Sequence, residues 1–480
     1  MTAMATSAGL EEVEVQALEP ARLEPLVGGE RMRQFEEAAD AVRSALAGHS
    51  VVNVNSTAVG GGVAEMLQTL LAYARGAGVD ARWLVIKGEP GFFTITKRIH
   101  NGLYGSPGDG GELGSDERAH YELIERRNGD ELLSMLQSGD VVLLHDPQTA
   151  GLAPRLRAAG VFVVWRCHVG RDESNEWTER SWEFLRPYLA DVDAYVFSRA
   201  AFAPSWADPD RTHVVPPSID PFSAKNEPMS ARNVRLALGY VGLLDGHAEP
   251  PAVPFSRRDG SPGRIAHRAD LVQLGPAVPP DAPLVLQASR WDSMKDMAGV
   301  MEGFADYVDL SLGAHLILAG PAVKGVTDDP EAAEILDDCV ARWRALPHAV
   351  RSRVHLACVP MHDPDEAAAI VNALQRHASV VVQKSFAEGF GLTVAEAMWK
   401  SRSVVGSAVG GITDQIVDGE HGLLIEDAGD LAGFGAAVER LLRDPDEAER
   451  LGGNARARAL SEFLGDRHLA RYARVLGALP

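Results

Sequence analysis

From about residue 50 onward, short runs of aliphatic and β-branched residues alternate with longer amphipathic stretches. In the first half the runs are VVNVN (51–55), ARWLVI (81–86), DVVLLH (140–145), VFVVWRC (161–167), AYVFS (194–198) and THVVP (212–216). In the second half they are PLVLQAS (283–289), AHLILAG (314–320), RVHLACV (353–359), SVVVQKS (379–385), SVVGSAV (403–409) and GLLIE (422–426). These runs are continuously apolar rather than strictly alternating. That is the pattern of strands covered on both faces, hence of parallel sheets flanked by helices. Two successive β/α series of similar size predict an α/β protein of two doubly wound, Rossmann-like domains.

The periodicity breaks at PPSIDPFSAKNEP (216–228) and at EPPAVPFSRRDGSPG (249–263). These breaks place an N-terminal domain at 1–220, an interdomain connection at 221–280 and a second domain at 281–465. The Pro/Gly-rich stretch within the connection reads as a long surface loop. A second loop is read over 99–120, around GSPGDGGELGSDE. In doubly wound sheets, ligands meet the carboxyl ends of strands at the point where strand order reverses. With two such domains, the expected site is a central cleft between them. The informative residues are therefore those just past strands.

Composition narrows the chemistry. The chain has 480 residues, 46% hydrophobic and 24% charged, ordinary for a globular protein. A formal net charge of −21 and the lack of any basic stripe exclude a nucleic-acid partner. Any phosphate site must be built locally, against the field of the whole chain. Cys167, Cys339 and Cys358 show neither close pairing nor zinc spacing, which fits a reducing compartment. The N-terminal segment carries acidic residues and no long apolar run, so a cytoplasmic protein without a membrane partner is expected.

Four motifs carry chemistry. After VVNVN come Gly60, Gly61 and Gly62, followed by an amphipathic helix marked by Val63, Met66, Leu67, Leu70 and Leu71. Glycines let backbone approach a ligand, and a helix start offers free N–H groups to an anion. A tight strand-to-helix turn would look the same. Glu65 stands where a dinucleotide fingerprint needs another glycine. In QKSFAEGFGLTVAEAMWK (383–400), a strand leads into Glu388-Gly389-Phe390-Gly391 and then a helix. Amides around Gly391, Leu392 and Thr393 suit a pyrophosphate, and Glu388 and Glu396 can accept from sugar hydroxyls. Thr393 to Glu396 also spells a capping box, a purely structural alternative for Glu396. In QASRWDSMKD (287–296), Arg290 and Lys295 follow a strand and can neutralise a diphosphate, or can be surface cations. In WRCHVG (165–170), His168 follows a strand, as the HDPQ segment (145–148) follows its neighbour. The Asp-Val-Asp triplet at 191–193 precedes a strand and reads as an exposed turn rather than a metal motif.

The GGG loop, the Arg290/Lys295 pair and the E-x7-E spacing from Glu388 to Glu396 resemble the retaining GT-B glycosyltransferases of family 4. EGFGLTVAEAMWK followed by AVGGITDQIVDGEHGLLIED makes that resemblance specific. VNVNSTAVGGGVAEML, VIKGEPGFFTITKRIHNGLYG, LLHDPQTAGL, WRCHVG and PPSIDPFSAKN resemble the trehalose synthases within it. The resemblance implies transfer of glucose from UDP- or ADP-glucose to glucose, giving α,α-trehalose. It implies Arg290 and Lys295 on the donor diphosphate, and Glu396 on the ribose. Glu388 with the Phe390–Thr393 backbone would hold the transferred sugar. His168 would touch that sugar or orient the acceptor, with Asp146 and Gln148 on the acceptor side. No tightly bound cofactor or metal site is implied, though Mg²⁺ can accompany the diphosphate. It further implies a homodimer, and a C-terminal helix at about 466–480 that returns to the first domain. The same motifs fit other acceptors (a sugar phosphate, glycerate or a lipid sugar) and a trehalose phosphorylase.

Overall fold

A computed structural model of the chain describes residues 9–58, 61–246, 253–323 and 330–479. The chain divides into two units, Met1–Ser218 with Phe463–Pro480, and Ile219–Glu462.

The first unit is built on strands β1 (Glu11–Glu12), β2 (Val51–Asn55), β3 (Ala81–Val85), β4 (Val141–His145), β5 (Phe162–Cys167), β6 (Ala194–Phe197) and β7 (Thr212–Val214), in the order β1-β3-β2-β4-β5-β6-β7. All pairings are parallel except that of the two-residue β1 with β3. Every residue of β2 and β4 is buried, the reason their sequences show no alternation. From β2 the chain moves one way to β3 and then the other way to β4, so strand order reverses between β2 and β4. The C-terminal helix Gly465–Gly477 packs on helix Gly29–Ala45 of this unit, where Arg31 holds Asp466 with two bonds of 2.9 Å.

The second unit has a seven-stranded sheet and a hairpin. The hairpin is β8 (Pro254–Ser256) with β9 (Pro262–Arg264). The sheet comprises β10 (Asp270–Val272), β11 (Leu284–Ala288), β12 (His315–Pro321), β13 (Val354–Val359), β14 (Val380–Gln383), β15 (Ser403–Ser407) and β16 (Leu423–Ile425), in the order β10-β13-β12-β11-β14-β15-β16. Only β10 runs antiparallel to its neighbour. Here the order reverses between β11 and β14.

Several expectations need correction. The 221–280 segment is more than a link, since it supplies helix Ala231–Val241, the hairpin and edge strand β10 to the second unit. The stretch read as a loop over 249–263 folds, within its described part, into the hairpin. Phe255 is buried there and Arg257 reaches Asp363 at 2.8 Å. The loop read over 99–120 shrinks to 104–114, because helices Pro90–Leu103 and Ser115–Ser134 close on it from both sides. Arg98 clamps it through Asp109. The 191–193 turn is exposed only at Asp191. The Asp193 side chain is buried, accepting from the Val163 N–H at 2.7 Å and pairing with Arg157 at 2.9 Å.

Candidate functional site

Each unit gathers its sequence-predicted residues beyond its own strand-order reversal. In the first unit, helix Gly61–Gly76 follows β2 and begins with the exposed Gly61 and Gly62. Gly60, the third glycine of the predicted loop, lies outside the described residues.

Past β4, Asp146 adopts φ 64° with ψ 179°. That conformation costs a non-glycine residue on the order of 1–3 kcal/mol, so its surroundings must hold it. They do so from β5: the Asp146 N–H donates to the Arg166 carbonyl at 2.8 Å, and Oδ1 accepts from the His168 N–H at 2.7 Å. Gln148 follows, half-buried, in the short helical turn Pro147–Leu152. Burial raises the Asp146 carboxyl to about 7, against the lowering effects of the His168 N–H and of Arg166.

His168 faces His145, with 3.0 Å between His168 Nε2 and His145 Nδ1. His145 Nε2 lies 2.9 Å from Asn53 Oδ1 on β2. Burial first, then the Arg166 charge, pushes the His145 imidazole down to about 3. The same two causes hold His168 well below its ordinary value. Arg166 is fully buried and donates to the Phe197 carbonyl and Ser198 Oγ. Sequence reasoning passed over His145 and Arg166 as site residues. Their signal was their setting, in HDPQ and in WRCHVG. Behind β2 and β4 lies a cavity of about 80 Å³, apolar except at Asn53, His145 and Tyr472. Such a lining does not suit a sugar.

In the second unit, Gln287 on β11 ties two loops together. Its Nε2 donates to the Lys295 carbonyl at 2.6 Å, and its Oε1 accepts from the Lys384 N–H at 3.1 Å. Lys295 reaches Glu388 Oε2 at 2.7 Å, with the two side chains only 15% and 11% exposed. Lys384, buried at the end of β14, pairs with Asp296, which also caps helix Met297–Tyr307 through the Gly299 N–H. Arg290 is more open, at 55%, and bonds Asp292 at 2.8 Å. The predicted cations thus both follow β11 and are already matched with carboxylates, and Lys384 adds a third cation at the end of the adjacent parallel strand β14.

Helix Leu392–Trp399 begins at Gly391, whose φ of 87° caps it without a side chain. The capping-box alternative is therefore not the one adopted: the cap is Gly391, and Thr393 Oγ1 instead donates to Gln383 Oε1 at 2.9 Å. Glu396 is buried and lies 3.5 Å from Lys225. Phe390 is buried, its carbonyl accepting from Gln415 Nε2. Gly410 and Gly411, just past β15, support this loop. A Cβ on Gly410 would lie 1.8 Å from the Glu388 carbonyl oxygen, and one on Gly411 would lie 2.4 Å from the Phe390 Cα. Lys225, Lys384, Gly410, Gly411 and Gln415 were not singled out by sequence reasoning, although all but Lys384 lie in stretches that carried the resemblance, and Lys384 lies in the 383–400 motif.

Chemically, the first site offers neutral donors and acceptors, and the second offers cations, carboxylates and free helix-start amides. Among the described residues no helix is long and apolar enough to cross a membrane.

Comparison with known proteins agrees over most of the chain. Residues 53–204 match the family model described as "Trehalose synthase, N-terminal domain", and 276–458 match "Glycosyl transferases group 1". The trehalose synthase of Pyrococcus horikoshii is 33% identical over 95% of both chains. That of Rubrobacter xylanophilus is 32% identical over 90% of this chain and 92% of its own. A trehalose phosphorylase of Pleurotus sajor-caju is 24% identical over 77% of this chain and 50% of its own. In fold, the chain is similar to an α,α-trehalose-phosphate synthase (UDP-forming) from Burkholderia xenovorans. The TM-score is 0.63 at 15% identity, covering 89% of this chain and 99% of that one. A sucrose-phosphate synthase from Thermosynechococcus elongatus gives 0.60 at 17% identity, covering 89% and 98%. These likenesses identify two Rossmann-like units of the GT-B kind. The chain is a glycosyltransferase and belongs to the trehalose synthase family.

Proposed function

We propose that the protein transfers glucose from UDP- or ADP-glucose to the anomeric hydroxyl of free glucose, with retention, to give α,α-trehalose. The observation that carries this reading is the Lys295–Glu388 pair at the strand-order reversal of the second unit, a cation and a carboxylate held 2.7 Å apart beside helix-start amides. In this reading Lys295 and Arg290 take the donor diphosphate, with Mg²⁺ able to accompany it. Glu388 exchanges its lysine partner for hydroxyls of the transferred sugar. Phe390, Gly391, Leu392 and Thr393 supply backbone, and Glu396 takes the ribose. Asp146, Gln148 and His168 serve the acceptor.

The donor bond and the product bond are both α. One route to retention is a covalent intermediate on a carboxylate, but Glu388 and Glu396 are assigned to binding here. The proposed route is same-face attack. The bond from the anomeric carbon to the diphosphate breaks as the acceptor oxygen bonds to that carbon. The acceptor's proton passes to the departing diphosphate oxygen, whose charge Arg290 and Lys295 stabilise. Preorganised groups of this kind are worth on the order of 10²–10³ in rate each.

The test incubates the purified chain with UDP- and ADP-glucose against glucose, sugar phosphates and glycerate, measuring disaccharide and released nucleotide together. Trehalose formed with stoichiometric nucleotide supports the proposal. Another product, with none from glucose, overturns the acceptor. The Pleurotus likeness favours one second reading, a phosphorylase. Phosphate-dependent breakdown of trehalose without nucleotide would replace transfer with it.

A further inference from the structure

His168 belongs to a chain of three side chains on three adjacent strands or strand ends. Its Nε2 meets His145 Nδ1 at 3.0 Å, and His145 Nε2 meets Asn53 Oδ1 at 2.9 Å. Asn53 and His145 are buried, while His168 is half-buried. An amide oxygen only accepts, so His145 must carry its proton on Nε2. A neutral imidazole has one N–H, which leaves His145 Nδ1 as an acceptor. His168 must then donate from Nε2, and its own Nδ1 keeps a lone pair. The charge of the buried Arg166 discourages a second proton on either. The backbone of His168 is fixed independently by Asp146.

We infer that Asn53 and His145 are positioning residues that hold His168 as its Nε2–H tautomer, so that Nδ1 accepts a hydrogen bond from a sugar hydroxyl. This rests on the reading of the first unit as a sugar site. At that point a hydroxyl is matched, whereas a fluorine, a missing hydroxyl or a dianionic phosphate oxygen is not. A site built to bond a hydroxyl rejects the analogue without it, because a buried polar atom is left unpaired.

The test is long-range ¹H–¹⁵N correlation on the full chain with ¹⁵N-labelled histidine, His168 being assigned by its loss in His168→Gln. Wild type is expected to show protonated Nε2 and bare Nδ1. His145→Leu is expected to scramble that tautomer and lower kcat/KM about tenfold, the equivalent of one lost hydrogen bond. His145→Asn, which keeps an acceptor near the Nδ1 position, is expected to restore both. With singly deoxygenated glucoses, the one analogue that wild type rejects should be rejected no further by His168→Gln. An Nδ1–H or doubly protonated His168 in wild type overturns the inference, and so does an unchanged His168 in His145→Leu. If the leucine variant does not fold, the wild-type spectrum decides alone. An Nε2–H tautomer in a protein that discriminates no deoxy sugar would keep the relay and sink the sugar reading.

Discussion

Beyond β4 and β5 two neutral imidazoles and an amide stand in series, half-buried to buried, beside a carboxyl that titrates near neutrality and near the buried charge of Arg166. Beyond β11 and β14 they are ionic: Lys295 with Glu388, Lys384 with Asp296, and Arg290 with Asp292. Both sets lie beyond strand ends of the same kind of sheet, the ionic one at its strand-order reversal and the neutral one reaching one strand past its own, to β5. The difference follows from what each can meet. A neutral relay presents fixed dipoles to a hydroxyl without moving charge. Carboxylate partners offset the mutual repulsion of cations gathered in one place, and those cations are what lets a chain of net charge −21 receive an anion there. An arriving diphosphate can then replace the carboxylates as counterion.

The largest expected effect breaks the ionic side. Lys295→Ala should lower kcat/KM by about 10²–10³. It also leaves Glu388 without its partner, so Tm should fall. Adding Glu388→Gln should recover much of the Tm, measured by scanning calorimetry, while turnover stays low. Recovery of both together would make the pair structural rather than catalytic.

Next comes the support of the donor loop. Gly410→Ala combines a φ of 49° with a Cβ placed on the Glu388 carbonyl. The loop must shift by more than an ångström, and a misplacement of that size can cost about 10²-fold in kcat/KM. Circular dichroism should remain native. Full activity would show that the loop tolerates displacement.

A pH experiment addresses the neutral side. The Asp146 carboxyl titrates near 7 when folded, against 3.8 ordinarily. The folded state therefore holds a proton that the unfolded state has lost. The group's contribution to stability is complete below about 4 and is lost as pH rises to about 7. Asp146→Asn keeps an acceptor for the His168 N–H, and should flatten that part of the Tm–pH curve. His145 runs the opposite way, its contribution falling as pH drops from 6.5 toward 3. A curve unchanged by Asp146→Asn would mean the carboxyl is not held neutral.

The sheets were legible because a strand covered on both faces leaves an unbroken apolar run, as in VVNVN and VVLLH. The short edge strands β1 and β10 left no such trace: two or three exposed or half-covered residues are too few for a pattern. The β8–β9 hairpin hid behind its prolines and glycines. Arg290, Lys295, Glu388 and His168 announced themselves by following strands. Asn53, which supports His145, and Lys384, which pairs with Asp296, did not, because they become neighbours of the site only through strand order. Gly410 and Gly411 are needed for a reason visible only in three dimensions, the closeness of the Glu388–Phe390 backbone.

The smallest effect probes a neutral bond inside the ionic site. Thr393 Oγ1 donates to Gln383 Oε1 at 2.9 Å, and Thr393→Val removes that donor with little change of shape. Leaving a buried acceptor unpaired costs about 1–3 kcal/mol. Ser289 Oγ already lies 3.3 Å from the same oxygen and can take over the bond. The cost should therefore be near 1 kcal/mol, a Tm decrease of about 2–4 °C for a domain of this size. Donor KM should rise a few-fold at most, with kcat unchanged. If charge, not hydrogen bonding in general, does the donor work, this variant must stay far above Lys295→Ala. Equal losses in the two would mean the contrast between the sites is one of composition and not of mechanism.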